Sequence, residues 1–287
     1  MQAQGKADEH GVPESLVVRV LPGGDEATAE GLARRLGVSA SHVDEAPATR
    51  REHKAPEPDV LALCVGPDGL SLESGELRLL PDLSRMLPRI RQGRLQQELL
   101  VRAAKVRMGS AHEAPHAIDA TAGMGEDSLL LAAAGFEVTL YERDPVLAAL
   151  LADSLRRAAL VPELEVPVSR MRLVEGDSIR AMRELAFGCG QDESGGPVAM
   201  TPDVVLLDPM FPERRKSAAV QKKAQLLQRL ESPCDDEEEL LAAALATGAR
   251  KVVVKRPAKG PALAGAKPSY SIRGKAVRYD VIVPPRA

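Results

Sequence analysis

An apolar run, Val204-Val205-Leu206-Leu207, passes directly into Asp208-Pro209-Met210-Phe211-Pro212. The residue types in the second stretch suit one kind of chemistry. An exocyclic amino group on a nucleobase is a poor nucleophile because its lone pair is shared with the ring. Acceptors placed at its two N–H groups return electron density to the nitrogen. The Asp208 carboxylate and the main-chain carbonyl of Pro209 can be those acceptors. Prolines fix φ and lack N–H donors, so the loop is stiff and its carbonyls are free. Phe211, one of three Phe in the chain, offers a face for a base taken out of its stack. The competing reading is a plain strand-ending turn. Against it stands the coincidence of an acid, two prolines and a rare aromatic.

A second constellation lies upstream, in Ile118-Asp119-Ala120-Thr121-Ala122-Gly123-Met124-Gly125-Glu126-Asp127-Ser128. Gly123 and Gly125 let the main chain turn sharply and approach a ligand. The third glycine of a G-x-G-x-x-G pattern is replaced by Ser128. Glu142 follows Gly123 by 19 residues, near the spacing of roughly 20 at which an acid meets ribose hydroxyls. Together these point to an adenosine-containing cofactor. A pyrophosphate would want a neutral or basic helix start, yet Glu126 and Asp127 occupy the first turn. Their charge favours a cation, and S-adenosylmethionine carries a sulfonium and an ammonium. Asp119 closes the preceding strand and faces the same cationic end. Asp177 and Ser178 stand where a carboxylate or hydroxyl meets an adenine amine. Each acid also has a structural use: Glu126 and Asp127 complement a helix dipole, and Asp177-Ser178 suits a helix cap.

These residues need a scaffold that brings strand ends together. Leu16–Pro22 reads as a strand, Ala27–Val38 as a helix and Asp59–Ser74 as a hairpin turning at Pro-Asp-Gly. The stretch 44–58 reads as a loop. From 116 onward strands and helices alternate. Strands are expected over 117–121, 137–144, 171–177, 204–208 and 250–256. Helices are expected over 126–135, 145–160 and 178–185, with Pro145 in a first turn. A Gly-rich loop spans 188–202, and a basic then an acidic helical segment precedes 250. Tyr270–Arg273 and Ala276–Val283 form a closing antiparallel hairpin. Such alternation implies an α/β, mostly parallel, doubly wound sheet, with ligands beyond the carboxyl ends of its strands. The expected divisions are a disordered lead (1–15), a small N-terminal α/β unit (16–84), a basic connecting helix and loop (85–115) and the catalytic domain (116–287).

The runs DATAGMGEDS, YERDPVLAALL, LLDPMFPERRKSA and VVVKRP resemble those of the RsmJ-type small-subunit rRNA (guanine-N2)-methyltransferases, which have the Rossmann-like class I fold. The similarity spans most of the chain and is strongest from about 117 to 257. It implies S-adenosylmethionine as cofactor, with contacts from Glu126, Asp127, Glu142, Arg143, Asp177, Ser178 and Asp208. It also implies 16S rRNA or the small ribosomal subunit as partner, guanine N2 as the acceptor and a bacterial cytoplasm as the location. Glu126 stands where the family usually carries Arg, and the basic segment before the first motif, RIRQGRLQQELL, has a single glycine, Gly93. The residues alone reach only methyl transfer to an exocyclic amine. Adenine N6, a protein glutamine amide and a non-catalytic RNA-binding role stay open, and a nicotinamide-dependent dehydrogenase is disfavoured by the acidic first turn.

Charge agrees with an anionic partner. The net charge is −3, but Arg85–Arg107 holds seven Lys/Arg against Glu98, and Arg250–Asp280 holds nine against Asp280. Arg214, Arg215, Lys216, Lys222, Lys223, Lys255 and Arg256 are candidate phosphate contacts around a flipped base. No apolar run approaches the roughly 20 residues of a membrane span. Three distant cysteines without a C-x-x-C argue against a disulfide framework or zinc site and for a reducing compartment. His112-Glu113-Ala114-Pro115-His116 matches H-E-x-x-H, but Pro115 disfavours the helix that zinc ligation needs; no metal is expected, and no oligomer is implied.

Overall fold

The computed structural model describes residues 13, 15–43, 60–106, 114–187, 201–209, 226, 229–230 and 236–285. Most of the expected lead, the loops 44–58 and 188–200 and most of the basic segment after Pro212 lie outside them. The chain divides into two compact units. One takes the described residues of Met1–Asp82, Asp144–Arg157 and Pro212–Pro233; the other takes those of Leu83–Arg143, Ala158–Phe211 and Cys234–Ala287.

The first unit is a five-stranded sheet. It contains β1 (Leu16–Val20), β2 (Ala40–His42), β3 (Leu61–Gly66), β4 (Gly69–Ser74) and β5 (Leu77–Leu79) in the order β2-β1-β3-β4-β5. Helix α1 (Glu26–Leu36) starts at Asp25, whose carboxylate accepts from Thr28 N at 2.7 Å, and stops at Gly37, φ 69°. Both ends follow from residue type: an Asp cap satisfies a free amide and a glycine accepts the left-handed turn. The β3–β4 hairpin turns at Pro67-Asp68, as its sequence implies. Cys64 is buried, and burial pushes its thiol up to about 12.

The second unit holds the site. Short helices α2 (Leu87–Ile90) and α3 (Leu99–Ala104) precede β6 (His116–Asp119) and α4 (Glu126–Ala133). Strand β7 (Glu137–Glu142) follows, and then helix α5 (Pro145–Ala158), most of which belongs to the first unit. There Asp153 accepts from Leu70 N at 2.9 Å and from Arg157 Nε at 2.8 Å. Then come α6 (Pro162–Ser169), β8 (Met171–Glu175), α7 (Ser178–Phe187), β9 (Val204–Leu207), α8 (Glu237–Ala246), β10 (Lys251–Pro257), β11 (Tyr270–Arg273) and β12 (Val277–Ile282).

The seven strands run β11-β12-β10-β9-β6-β7-β8, parallel from β10 to β8, with β12 antiparallel to both β10 and β11. This is a mostly parallel, doubly wound sheet with an antiparallel closing hairpin, as the alternation of elements implies. Strand order reverses between β6 and β9, the switch point at which such sheets bind ligands.

Strand alternation assigns the two faces. Ile118, Val205, Leu207, Val252 and Val254 pack in one apolar cluster with Ile179 and Met182 of α7 and Leu240, Leu241 and Ala244 of α8. Asp119, Leu206, Val253 and Lys255 therefore project from the opposite face. Among the described residues no helix is long and apolar enough to cross a membrane.

Two segments depart from expectation. The basic stretch 89–107 is not one helix but α2, a turn of 3-10 helix at Leu95–Gln97 and α3. Extended main chain at Arg91 and Glu98 and left-handed Gly93, φ 86°, interrupt it. The Arg89 guanidinium forks onto Glu98 at 2.9 and 2.7 Å and closes the broken run into a loop. Helix α6 was not anticipated, although Pro162 stands in its first turn, where a missing N–H costs nothing.

The closing hairpin is tied down by Arg278. Its Nε donates to both Asp280 oxygens at 3.0 Å, and its Nη1 donates to the Pro257 and Gly260 carbonyls, each at 2.8 Å. Both partners are almost fully enclosed. Breaking an enclosed pair strands a charge and here also the contacts to the Pro257, Ala258, Gly260 and Pro261 carbonyls. Arg278→Ala is expected to lower unfolding free energy by about 3 kcal/mol, read from urea denaturation.

Candidate active site

Four neighbouring parallel strands each deliver a carboxylate at or just past their carboxyl ends. These are Asp208 after β9, Asp119 on β6, Glu142 on β7 and Asp177 after β8. Sequence placed all four at strand ends, and the sheet order sets them side by side.

Asp119 is 2% exposed. Its Oδ1 accepts from Thr121 N at 3.1 Å and its Oδ2 from Ser128 Oγ at 2.5 Å, which fastens the end of β6 to α4. Burial, with the nearby Asp127 and Asp208 charges, outweighs those bonds and raises its pKa to about 7. Thr121 Oγ1 in turn accepts from Asp208 N at 2.7 Å, so the two strands on either side of the switch point are pinned together.

The glycine loop is built as its residues imply. Gly123 sits at φ 53° and Gly125 at φ 73°, both left-handed, with Gly125 just before α4. A side chain at Gly123 would meet no atom within 4 Å. The main chain there is open to a ligand. Gly123 N donates to Glu142 Oε2 at 2.9 Å, which orients the carboxylate beneath the loop. Glu126 is exposed at the first turn of α4, whereas Asp127 is turned inward.

Lys255 lies between Asp127 and Asp208, its Nζ 2.7 Å from an oxygen of each. Burial draws the amine down, but the two carboxylates outweigh it and hold the amine above the usual lysine range. Tyr279 faces Lys255 across the β10–β12 ladder and is 4% exposed. Burial first, then the Asp127 charge, pushes its phenol above the ordinary tyrosine range. Arg89 acts electrostatically on both Asp127 and Tyr279. Sequence reading missed Tyr279 and Arg89 as members of this cluster. Their only signals were scarcity of aromatics and a basic run, neither of which gives register.

Other candidates are placed differently. Arg256, expected to meet phosphate, is 1% exposed. Its Nε donates to the Pro261 carbonyl at 2.9 Å, and its Nη1 is 3.7 Å from Glu237 of α8. It alternates with Lys255 and so belongs to the apolar face. Arg143 pairs with Asp236 at 2.8 Å. Asp177 Oδ1 accepts from Ile179 N at 2.9 Å and so caps α7, with Ser178 buried beside it. Pro209 is buried. Phe211, Arg214, Arg215, Lys216, Lys222 and Lys223 lie outside the described residues.

Comparison with known proteins agrees with this geometry. A family described as "Putative SAM-dependent methyltransferase" matches residues 40–284. Ribosomal RNA small subunit methyltransferase J of Pseudomonas fluorescens is 39% identical over 270 residues, 92% of this chain and 93% of that one.

The chain belongs to the ribosomal RNA small subunit methyltransferase J family.

Its relative from Thioalkalivibrio sulfidiphilus is 46% identical over 189 residues, 66% of this chain and 69% of that one. A crystal structure of a SAM-dependent methyltransferase from Neisseria gonorrhoeae superposes with TM-score 0.65 at 30% identity, covering 94% of this chain and 97% of that chain. The cofactor of this family member is S-adenosylmethionine (SAM). The residues fit it: open main chain at Gly123, acceptors at Glu142 and Asp177, and carboxylates rather than phosphate-binding cations around a cationic donor.

The raised pKa of Asp119 has a measurable sign. Between 3.8 and about 7 the folded chain holds a proton that the unfolded chain releases. Stability contributed by that proton is complete below the lower value and is lost as pH rises through the upper one. Asp119→Asn keeps an oxygen to accept from Thr121 N and offers an amide that Ser128 Oγ can accept from, but cannot titrate. Without cofactor, urea denaturation at stepped pH is expected to show a flatter decline across this window than in the unaltered protein.

Proposed function

We propose that the chain transfers a methyl group from SAM to the exocyclic N2 of a guanine in small-subunit (16S) ribosomal RNA, in a bacterial cytoplasm. The observation that carries this reading is the placement of Asp208. It ends β9 at the switch point, is tied through its amide to Thr121, and stands across Lys255 from the acidic first turn of α4. The relatives' names supply the substrate class.

SAM supplies a methyl on cationic sulfur: as the N2 lone pair forms the new N–C bond, the C–S electron pair passes to sulfur, leaving S-adenosylhomocysteine, methylated guanine and one proton. The protein's part is to position and to polarise. Asp208 accepts a hydrogen bond from the guanine amino group and returns density to N2. The Pro209 carbonyl is the second acceptor, and Phe211 stacks on the base. Asp119, Asp127 and Glu142 hold the cofactor's cationic and ribose ends.

Exposed cations elsewhere suit the RNA backbone better than Lys255 and Arg256. Lys259 and Arg273 border one depression at the end of β10 and the closing hairpin. Lys267 and Lys275 are exposed in the same loops. The acid of that depression, Asp280, is already held by Arg278 and by Ser271 at 2.6 Å.

Two experiments test this. Methyl transfer from labelled SAM to small subunits lacking the modification is expected to give N2-methylguanosine on digestion; labelled N6-methyladenosine or labelled protein would replace the guanine assignment. In the same assay Asp208→Ala is expected to lower kcat by about 10²-fold or more, and normal turnover would remove Asp208 from the acceptor site. For the RNA surface, Lys259→Ala with Arg273→Ala is expected to weaken RNA binding and to reduce its salt slope by about two, roughly one per phosphate contact. An unchanged slope refutes that surface.

A further inference from the structure

Asp208 does not stand alone. The charged and titratable groups within electrostatic reach of Asp208 are Asp119 from β6, Asp127 from α4, Lys255 from β10 and Tyr279 from β12, with Arg256 acting from the opposite face of the sheet; Arg89 acts on the same cluster from α2. Three carboxylates thus share one space, and the ammonium that touches two of them belongs to Lys255. Its contact with Asp127 is the better shielded of the two: the side chains are 26% exposed for Lys255, 14% for Asp127 and 38% for Asp208. Its aim is set from the strand, because Lys255 is locked in the ladder opposite Tyr279. Without that ammonium, Asp208 would face the Asp127 charge, joined by Asp119 once that group ionises at about 7, and its proton affinity would rise. A protonated Asp208 presents an O–H where an acceptor is needed.

We propose that Lys255 is a positioning residue for methyl transfer, whose ammonium keeps the Asp208 carboxylate anionic and aimed at the acceptor amine. This rests on the reading of Asp208 given above. By bridging to Asp127, Lys255 also fixes that aim relative to the first turn of α4, where the cationic end of SAM is received. The bridge has a chemical consequence. A carboxylate paired with an ammonium is a good hydrogen-bond acceptor but a weak proton sink. The proton displaced from N2 once the N–C bond has formed therefore passes to water, and Asp208 stays ionised from one turnover to the next.

The test compares full-length unaltered protein with Lys255→Met, Lys255→Gln and Lys255→Arg, using SAM and unmodified small subunits from mildly acidic to mildly alkaline pH. Formation of N2-methylguanosine by the unaltered protein comes first; its absence would count against the functional reading and not against Lys255. With that in hand, Lys255→Met and Lys255→Gln are expected to lower kcat by about 10²-fold at neutral pH. SAM affinity, measured by calorimetry, should stay within a few-fold. The acidic limb of the kcat profile should move upward, so that activity returns in alkali, and Lys255→Arg should restore the limb. Lys255→Gln keeps amide donors without charge and stands in if Lys255→Met does not fold. A neutral variant with an unshifted limb overturns the proposal, whether its kcat is unchanged or reduced equally at every pH. So does failure of Lys255→Arg to restore the limb.

Discussion

Carboxylates at the ends of adjacent parallel strands repel one another, and burial makes that repulsion costly. The site is organised around relieving it. Asp119 is relieved by a hydroxyl and an amide, and by holding a proton up to about pH 7. Glu142 is relieved by the Gly123 amide, and Asp127 and Asp208 by one lysine. Each solution also fixes a piece of main chain. The glycine loop is drawn over β7, α4 is fastened to β6, and the loop after β9 is joined to β10. The acids that suit a cationic methyl donor are thus the same groups that hold the binding cleft in shape.

The sheet explains why so few residues suffice. Parallel strands present their carboxyl ends together, and the reversal between β6 and β9 opens a crevice there. One face of the sheet is sealed by α7 and α8 with an apolar cluster. Every polar group that alternates out of that cluster is delivered to the other face. The antiparallel β12 extends this layer beyond the parallel strands and brings Tyr279 opposite Lys255. A hairpin that looks like an appendage in sequence therefore sets Tyr279 beside the Asp127–Lys255–Asp208 cluster.

Much of this was legible in the chain. An apolar run followed by an acid is a strong sign of a buried parallel strand, and the strand-end placement of Asp119, Glu142 and Asp208 was legible that way. The Gly123–Asp127 loop was legible because only glycine suits its left-handed turns. A Lys-Arg pair after Val-Val-Val reads as a charged surface, whereas Arg256 is buried and Lys255 is paired with two carboxylates. Strand alternation held the correction: Arg256 shares parity with Val252 and Val254 and is buried toward α8, whereas Lys255 shares parity with Val253 and enters the cleft. Tyr279 and Arg89 depend on antiparallel register and on a broken helix, which arise from tertiary contacts and leave no local pattern. Helix α6 was missed because Pro167 interrupts its sequence signal.

The contacts of α5 bear on how this protein can be divided. The helix follows β7 of the larger sheet, yet residues 144–157 belong with the N-terminal strands, where Asp153 and Arg157 grip Leu70 and the Pro81 carbonyl. No single cut separates the two units. A fragment beginning at residue 83 would keep α5 in its chain but lose the strands that receive it, and the N-terminal segment alone would lack a helix of its own unit. The smaller unit is completed by sequence borrowed from within the methyltransferase fold. Neither unit is one uninterrupted stretch of chain, so no contiguous fragment carries all the residues of one unit and none of the other.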